Sequence, residues 1–554
     1  MTEVSRRVLM KGAALTGGVL ALPATTGVAQ AAEAAEAAAA AGAGGAGGAG
    51  AVTSRVAVTA PITVTPADPR YRGLISGSNQ RWTGAPDYVR IVGSADQVVR
   101  AVQEAVDQGL KVAVRSGGHC DEDFTASADI KVVIDLSGLN AICYDPQRRA
   151  IAVEPGALLG TVYRTLYKRW GVVLPGGTCP TVGAGGHISG GGYGALSRSR
   201  GLTVDHLYAV EVVHVGKDGR ARKVVATREA NDPNRELWWA HTGAGGGNFG
   251  VITRYWLRSP GATGDDPSAL LPKAPTEVLL SDVSWSWADL DERSFTRLVH
   301  NFNVWHENNS APDSPGRFLF SQLKAMHKAA GYFRMSTQVD ASVPHADQLL
   351  DGFLAAVSEG TGVSYRVGDR YRAPWLYAVT EWSGFVEPAV PRWKSKSAYI
   401  RRAMPQAQLT ALYRQLTRAD YPGPYGMIAL VGFGGKINEP GPQDTATAQR
   451  DSVAKMLYCS LWSDPADDAL HQRWVREAYQ DVYAATGGVP RPGGVNDGCY
   501  INYADADLAD PALNTSGIPW HQLYFKDNYP RLQRVKAKWD PRDVFSHRLG
   551  VRLP

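Results

Sequence analysis

Apolar positions between Asp68 and Gly261 come in short runs that switch repeatedly between a period of two and a period near 3.6. Tyr88 to Val92, Lys111 to Val114, Val132 to Leu136 and Ala150 to Val153 have the β-branched, apolar make-up of strands. Between the first two, Val98, Val99, Val102 and Val106 keep helical spacing behind Ser94, a residue type that caps helix N-termini. Thr161 to Trp170 predicts a second amphipathic helix, and Asp205 to Val215, approached through Arg198 to Gly201, another strand region. Past a polar linker, Ala262 to Ser268, the pattern predicts strands over Glu277 to Trp287, Arg317 to Leu323 and Tyr332 to Val339. Helices are predicted over Ser294 to Trp305 and Ala346 to Val357. The fold class is α+β. Trp285, Trp287, Trp305, Trp375, Trp382, Trp393 and Trp462 are expected mostly in the core, with some stacking against a ligand.

Two stretches break the periodic pattern. Arg115-Ser116-Gly117-Gly118-His119 follows a strand directly, and Gly117-Gly118 lets the backbone turn tightly and approach a ligand. Gly176 to Gly194 holds nine glycines in nineteen residues around Cys179, a density that costs too much backbone entropy for a regular helix or strand. It fits a long flat ligand lying on bare backbone. Either stretch alone is equally well read as a tight turn beside a core histidine. No G-x-G-x-x-G follows the first strand, which argues against a Rossmann-type dinucleotide site.

Composition narrows the field. Of 554 residues, 44% are hydrophobic and 20% charged, enough for a large core and two lobes. The net charge of +5 is spread without a basic block, so nucleic acid is not an expected partner. Cys120, Cys143, Cys179, Cys459 and Cys499 are odd in number and unpaired in spacing, which argues against a disulfide framework. Without C-x-x-C or H-E-x-x-H, no metal site is indicated. Arg6-Arg7 ahead of a modest apolar run, with Ala29-Gln30-Ala31 as a cleavage site, predicts a twin-arginine export signal over residues 1–31 and a secreted protein. The run is too short and too rich in Gly and Ala for stable membrane association. Residues 32–64, Ala/Gly-rich at first, are expected to be a disordered spacer.

The two glycine stretches together resemble the FAD-linked oxidases of the berberine-bridge-enzyme type. That family shares its flavin-binding fold with vanillyl-alcohol oxidase and p-cresol methylhydroxylase (PCMH). Leu237 to Thr253 is similar to a further family segment, departing mildly at Ala244 and Val251-Ile252. Cys499 to Asp505, Leu523 to Leu532 and Val535 to Phe545 are similar to the family's closing part. The resemblance implies a PCMH-type FAD lobe over 65–261, completed by 491–554, with an inserted substrate lobe over 262–490 built as an antiparallel sheet covered by helices. It implies FAD held covalently, by His119 at the 8α carbon and by Cys179 at C6. Arg115, Ser116, Gly117, Gly118, Val182, Gly183, His187, Gly190, Gly191, Val251 and Asn502 are the other implied cofactor-binding positions. His187 would stabilise charge near flavin N1–C2, and Val182 would leave oxygen access open.

Tyr503 is the implied base, needing nearby donors or positive charge to become acidic enough, and Tyr193 is the second implied catalytic residue, expected to hydrogen-bond Tyr503 or the substrate oxygen. A second tyrosine that the family can place before a Gly-Gly-Lys segment is here Val431, implying a single two-electron oxidation. The expected activity is that of an oxidase taking a hydride from a secondary alcohol or hemiacetal of a bulky glycosylated product or oligosaccharide. O2 would be the acceptor and H2O2 the product. An oxidative cyclase of a secondary metabolite is the alternative, and an exported binding protein without redox function the remaining one. The partners are a small-molecule substrate and O2, and the sequence gives no oligomeric state.

Overall fold

The computed structural model describes residues 60–385 and 390–554. The expected signal over 1–31 and most of the expected spacer lie outside the described residues. The spacer reading runs too far. Ile62–Val64 is a strand, β1, paired antiparallel with Tyr88–Ile91 (β2), and Val64 is buried beneath Val89 and Val133.

The first sheet adds Val112–Arg115 (β3) and Val132–Asp135 (β4) in the order β1-β2-β4-β3, with β2, β4 and β3 parallel. Parallel strands need a crossover, and the helix Ala95–Asp107 supplies the one from β2 to β3, which flank β4. Ser94 caps that helix by accepting from Gln97 N–H at 3.2 Å, and Val98, Ala101, Val102 and Ala105 form its buried stripe. The second sheet comprises Ile142–Asp145 (β5), Ala150–Val153 (β6), Leu207–Val215 (β7), Ala221–Thr227 (β8) and Val251–Leu257 (β9), ordered β5-β6-β9-β7-β8 and antiparallel throughout.

The third sheet has seven strands: Val278–Ser286 (β10), Leu319–Met326 (β11), Tyr332–Asp340 (β12), Arg366–Ala373 (β13), Arg392–Ile400 (β14), Gly426–Gly432 (β15) and Ala454–Trp462 (β16). Its order is β13-β10-β12-β11-β15-β16-β14, again antiparallel at every pairing. The helices Ala346–Ser358, Glu292–Asn308, Gln406–Thr417 and Asp468–Val482 lie side by side across it. The α+β class and the helix-covered antiparallel sheet are as expected from the sequence. One continuous hydrophobic core joins the second and third sheets, so the described residues form a single compact unit.

Two local expectations are corrected. Ser197–Arg200 is a helical turn, not the approach to a strand. The glycine-dense stretch contains a helix, Ala184–Ser189. Glycine is tolerated there for want of space: a Cβ on Gly185 would stand 3.1 Å from both Ser116 Cβ and Pro155 Cβ. Among the described residues, no helix is long and apolar enough to cross a membrane.

Candidate active site

β3 runs straight into the first glycine turn. Its last residue, Arg115, is buried and pairs with Asp135 at the end of β4 (2.6 Å), while Nη1 donates to the Ser76 carbonyl (3.2 Å). Ser116 Oγ donates to the Pro155 carbonyl (2.5 Å), and Gly118 takes φ +74°, a conformation open to glycine. The two glycine stretches then meet backbone to backbone. A Cβ on Gly117 would stand 2.3 Å from Gly183 N. This contact brings His119 and Cys179 to one hydroxyl: Thr181 Oγ1 is 3.0 Å from His119 Nε2 and 3.4 Å from Cys179 Sγ. Burial lowers the His119 pKa, which favours its neutral imidazole.

These residues open onto a cavity of about 580 Å³. Arg115, Ser116, Gly117, Gly118, His119, Cys179, Val182, Gly183, His187, Tyr193, Asn502 and Tyr503 all line it. Three expected cofactor residues do not. A Cβ on Gly190 would fall 2.0 Å from Asn502 Oδ1 and one on Gly191 2.9 Å from Thr447 Oγ1, so both glycines serve close packing behind the wall. Val251 points into the core with Val213, Val215 and Phe545, and the alternation of β9 gives the lining position to Ile252.

His187 sits on the short helix and accepts from Gly177 N–H through Nε2 (3.1 Å). Burial, helped by the Lys455 charge, pulls its pKa down to about 4, so it stands in the site as a neutral dipole rather than a cation. Asn502 Nδ2 donates to the His187 carbonyl (3.0 Å) and to Tyr500 Oη (2.8 Å), fastening the closing segment to that helix.

Also on the lining, Tyr193 donates its hydroxyl to the Gly432 carbonyl and does not form the expected bond to Tyr503. The residue that joins the tyrosines is one the sequence reading missed. Lys455 Nζ lies 4.1 Å from the ring centre of Tyr193, 4.3 Å from that of Tyr500 and 4.7 Å from that of Tyr503. The lysine is buried, and burial brings its pKa down to about 7. Burial pushes the Tyr503 phenol up, with the neighbouring Tyr500 and Asp121 adding to the shift. A signal existed: Lys455 is the only charge in the strand Ala-Lys-Met-Leu-Tyr-Cys-Ser-Leu-Trp. Val431 faces the cavity on β15, in register with Lys455 on β16. Of the expected tryptophans, Trp393 lines the cavity, beside Phe320, Phe385 and Met427, while Trp285, Trp287, Trp375, Trp382 and Trp462 are buried in the core.

The lining fits a long flavin dinucleotide. Gly186 and Gly246 line the cavity with nearly bare backbone: no atom lies within 4 Å of a Cβ built on Gly186, and only Ser189 Oγ, at 3.6 Å, approaches one on Gly246. A neutral imidazole and a thiol flank the same wall.

Comparison with known proteins agrees. Residues 86–224 match a family described as FAD binding domain, and residues 499–552 one described as berberine and berberine like. The chain is 50% identical to the aclacinomycin-N/aclacinomycin-A oxidase of Streptomyces galilaeus, over 100% of this chain and 99% of that protein. It is 31% identical to the hexose oxidase of Chondrus crispus, over 87% of this chain and 93% of that one. The crystal structure of a glycopeptide hexose oxidase complexed with teicoplanin superposes with a TM-score of 0.85 at 50% identity, covering 89% of this chain and 99% of the other. With the glycine-lined cavity and its tyrosine–lysine wall, these likenesses make the chain a member of the berberine-bridge-type family of FAD-linked oxidases.

Proposed function

We propose that this enzyme oxidises a secondary alcohol or hemiacetal carbon on a bulky glycosylated small molecule or oligosaccharide, with O2 as acceptor and H2O2 as product. The observation that carries the reading is that Lys455, facing Tyr193, Tyr500 and Tyr503, lines the same cavity as His119 and Cys179. Aclacinomycin oxidase, hexose oxidase and the glycopeptide hexose oxidase are named for sugar-bearing substrates or sugars, which supports the substrate class.

Bound FAD supplies the two-electron acceptor and the return of those electrons to O2. The protein's part is to take the hydroxyl proton and hold the carbon. Tyr503 and Lys455 form a base pair in the acid–base sense. Once the pair has lost one proton, either the phenolate beside the ammonium or the phenol beside the amine accepts the substrate's proton. Tyr193, fixed by Gly432, offers its ring as a wall. Phe320, Phe385, Met427 and Trp393 give an apolar surface for a flat aglycone. His119 and Cys179, gathered on Thr181, would hold FAD covalently, and Val182 on the same lining is small enough that it would leave O2 access open.

Acid denaturation is the direct test of attachment. Flavin is expected to stay on the polypeptide in wild type and in each of His119→Ala and Cys179→Ala, and to leave the double variant. Peroxide release is then assayed with aclacinomycin N, teicoplanin and D-glucose. Release together with a carbonyl product supports the oxidase, whereas a ring-closed product would replace it with the cyclase. The export signal extends the proposal: with Arg6→Lys and Arg7→Lys combined, a host with twin-arginine export is expected to retain the enzyme inside the cell.

A further inference from the structure

β14, at one edge of the seven-stranded sheet, carries Lys394 and Lys396 on one face, and both are buried. Lys394 Nζ reaches Glu122 Oε1 at 2.7 Å and Asp505 Oδ1 at 2.8 Å. Lys396 Nζ reaches Asp505 Oδ2 at 2.5 Å and Asp507 at 3.0 Å, and Arg476 closes the group on Asp507 at 2.9 Å. Three cations thus balance three carboxylates. The opposite side of the same strand holds Asp121: Trp393 Nε1 donates to it at 2.9 Å, and Ser395 Oγ donates to its other oxygen.

The placement in the chain gives the cluster its meaning. Glu122 stands three residues after His119, and Asp505 two residues after Tyr503. Neither segment bonds the other through side chains at the cavity; Lys394 bridges them from behind, and Ala506 N–H adds a bond to Glu122 Oε1 at 3.3 Å. Burying five of these six charges, all but Arg476, is a poor route to stability, since apolar side chains of the same volume fill such a space without the cost of desolvation. What the charges add is fixed geometry, because each lysine must meet two carboxylates at once.

We infer that the Glu122–Lys394–Asp505 bridge is a positioning device that sets the separation between Tyr503 and the flavin carried at His119. It rests on the reading of the site given above. None of its members lines the cavity, so they act only through the two segments they join. Reaction rates fall steeply when a reacting group is displaced by about 1 Å, so a bridge of this kind matters to turnover more than to binding.

The test is a four-member cycle on the holoenzyme: wild type, Tyr503→Phe, Glu122→Gln/Lys394→Met, and all three changes together. The bridge variant removes one cation and one anion, leaving Asp505 and Asp507 balanced by Lys396 and Arg476. Excited flavin takes an electron from a nearby tyrosine at a rate that falls steeply with distance. Tyr193, Tyr500 and Trp393 line the same cavity and quench as well, so the share of the decay that Tyr503→Phe removes, measured by transient absorption, reads the Tyr503–flavin gap without any substrate. The bridge variant is expected to change the excited-state lifetime in the wild-type background and to leave it unchanged in the Tyr503→Phe background. Reduction by aclacinomycin N is expected to slow about tenfold at saturation with little change in its half-saturation concentration. A wild-type lifetime in the bridge variant overturns the inference alone, as does an equal change in both backgrounds. No effect of Tyr503→Phe on the lifetime overturns it together with the reading of the site. Should the double variant not fold, Glu122→Asp, which keeps the charge and shortens the bridge by one methylene, is put through the same cycle with the same outcomes.

Discussion

Lys455 and Tyr503 lie too close to titrate independently, and their protonation is best described for the pair. Burial lowers the lysine to about 7 and raises the phenol, so the first proton leaves the pair near pH 7. Below that pH both groups are protonated and neither is a base. With an oxidisable substrate, kcat/KM is therefore expected to rise about tenfold per pH unit up to about 7 and then to level off. Lys455→Met removes the low-lying proton and leaves only a buried phenol, whose pKa lies above its ordinary value near 10. The rising limb should move to pH above about 10, with activity at neutral pH down by roughly 1,000-fold or more. A limb left near pH 7 in Lys455→Met would assign the titration to another group. Tyr503→Phe removes the phenol and is expected to lower turnover by about 10²–10⁴-fold while the flavin spectrum stays. These two residues also mark the limit of what the sequence conveys. Tyr503 was legible from its motif. Lys455 was not, because a lone lysine in a strand says that something unusual is buried there but not which rings face it.

At the level of elements, the glycine stretches do two different jobs that the sequence does not distinguish. Gly117 is crowded by backbone, with Gly183 N 2.3 Å and Gly183 Cα 2.9 Å from a Cβ built on it, and backbone cannot swing aside. Gly186 lies in a helix with no atom within 4 Å of its Cβ position, although glycine there costs about 0.5–1 kcal/mol relative to alanine. Gly117→Ala is thus expected to push the two loops apart, lowering both the melting temperature and the flavin content. Gly186→Ala is expected to keep or raise the melting temperature of flavin-free protein yet lower flavin content, because its methyl intrudes on the cavity alone. Thermal melts paired with the flavin-to-protein absorbance ratio separate the two cases. The same distinction explains the misplaced expectations at Gly190, Gly191 and Val251. Motif position locates a glycine in the right loop, but whether its bare face meets a ligand or a neighbour such as Asn502 depends on contacts hundreds of residues away. The family resemblance pointed to the right place at the start of β9, yet the phase of that strand, which puts Ile252 rather than Val251 on the cavity side, is set by tertiary packing.

Across the whole molecule the chain closes on itself through its last fifty residues, and this closure is what the cavity depends on. Lys536 is fully buried and donates to the Asn248 carbonyl (2.9 Å), the Phe545 carbonyl (2.6 Å) and Asp540 (2.6 Å). Beyond it, Val551 N–H donates to Asn248 Oδ1 at 2.8 Å, and Leu549 and Val551 are each 1% exposed. Asn248 belongs to the glycine-rich run before β9, of which Gly245, Gly246, Gly247 and Gly250 line the cavity. Chain termini are ordinarily places where deletion is cheap, but burial and hydrogen bonding decide, not position. Removing residues 549–554 exposes two core positions and strips a buried amide oxygen of its donor, a loss of about 4–9 kcal/mol. That is a large share of the roughly 5–15 kcal/mol by which folded proteins are stable. The truncated enzyme is therefore expected to melt well below wild type and to be purified with little flavin, even though every residue assigned to chemistry is still present. Asn248→Asp tests the same joint without shortening the chain. It keeps the Oδ1 acceptor for Val551 N–H and replaces Nδ2, which donates to the Ala244 carbonyl at 3.0 Å, with an oxygen that repels it. It is expected to lose flavin with a smaller drop in melting temperature than the truncation, because Leu549 and Val551 stay buried. Equal flavin content in the truncated and full-length enzymes would show instead that the glycine run before β9 holds its shape without the closing segment.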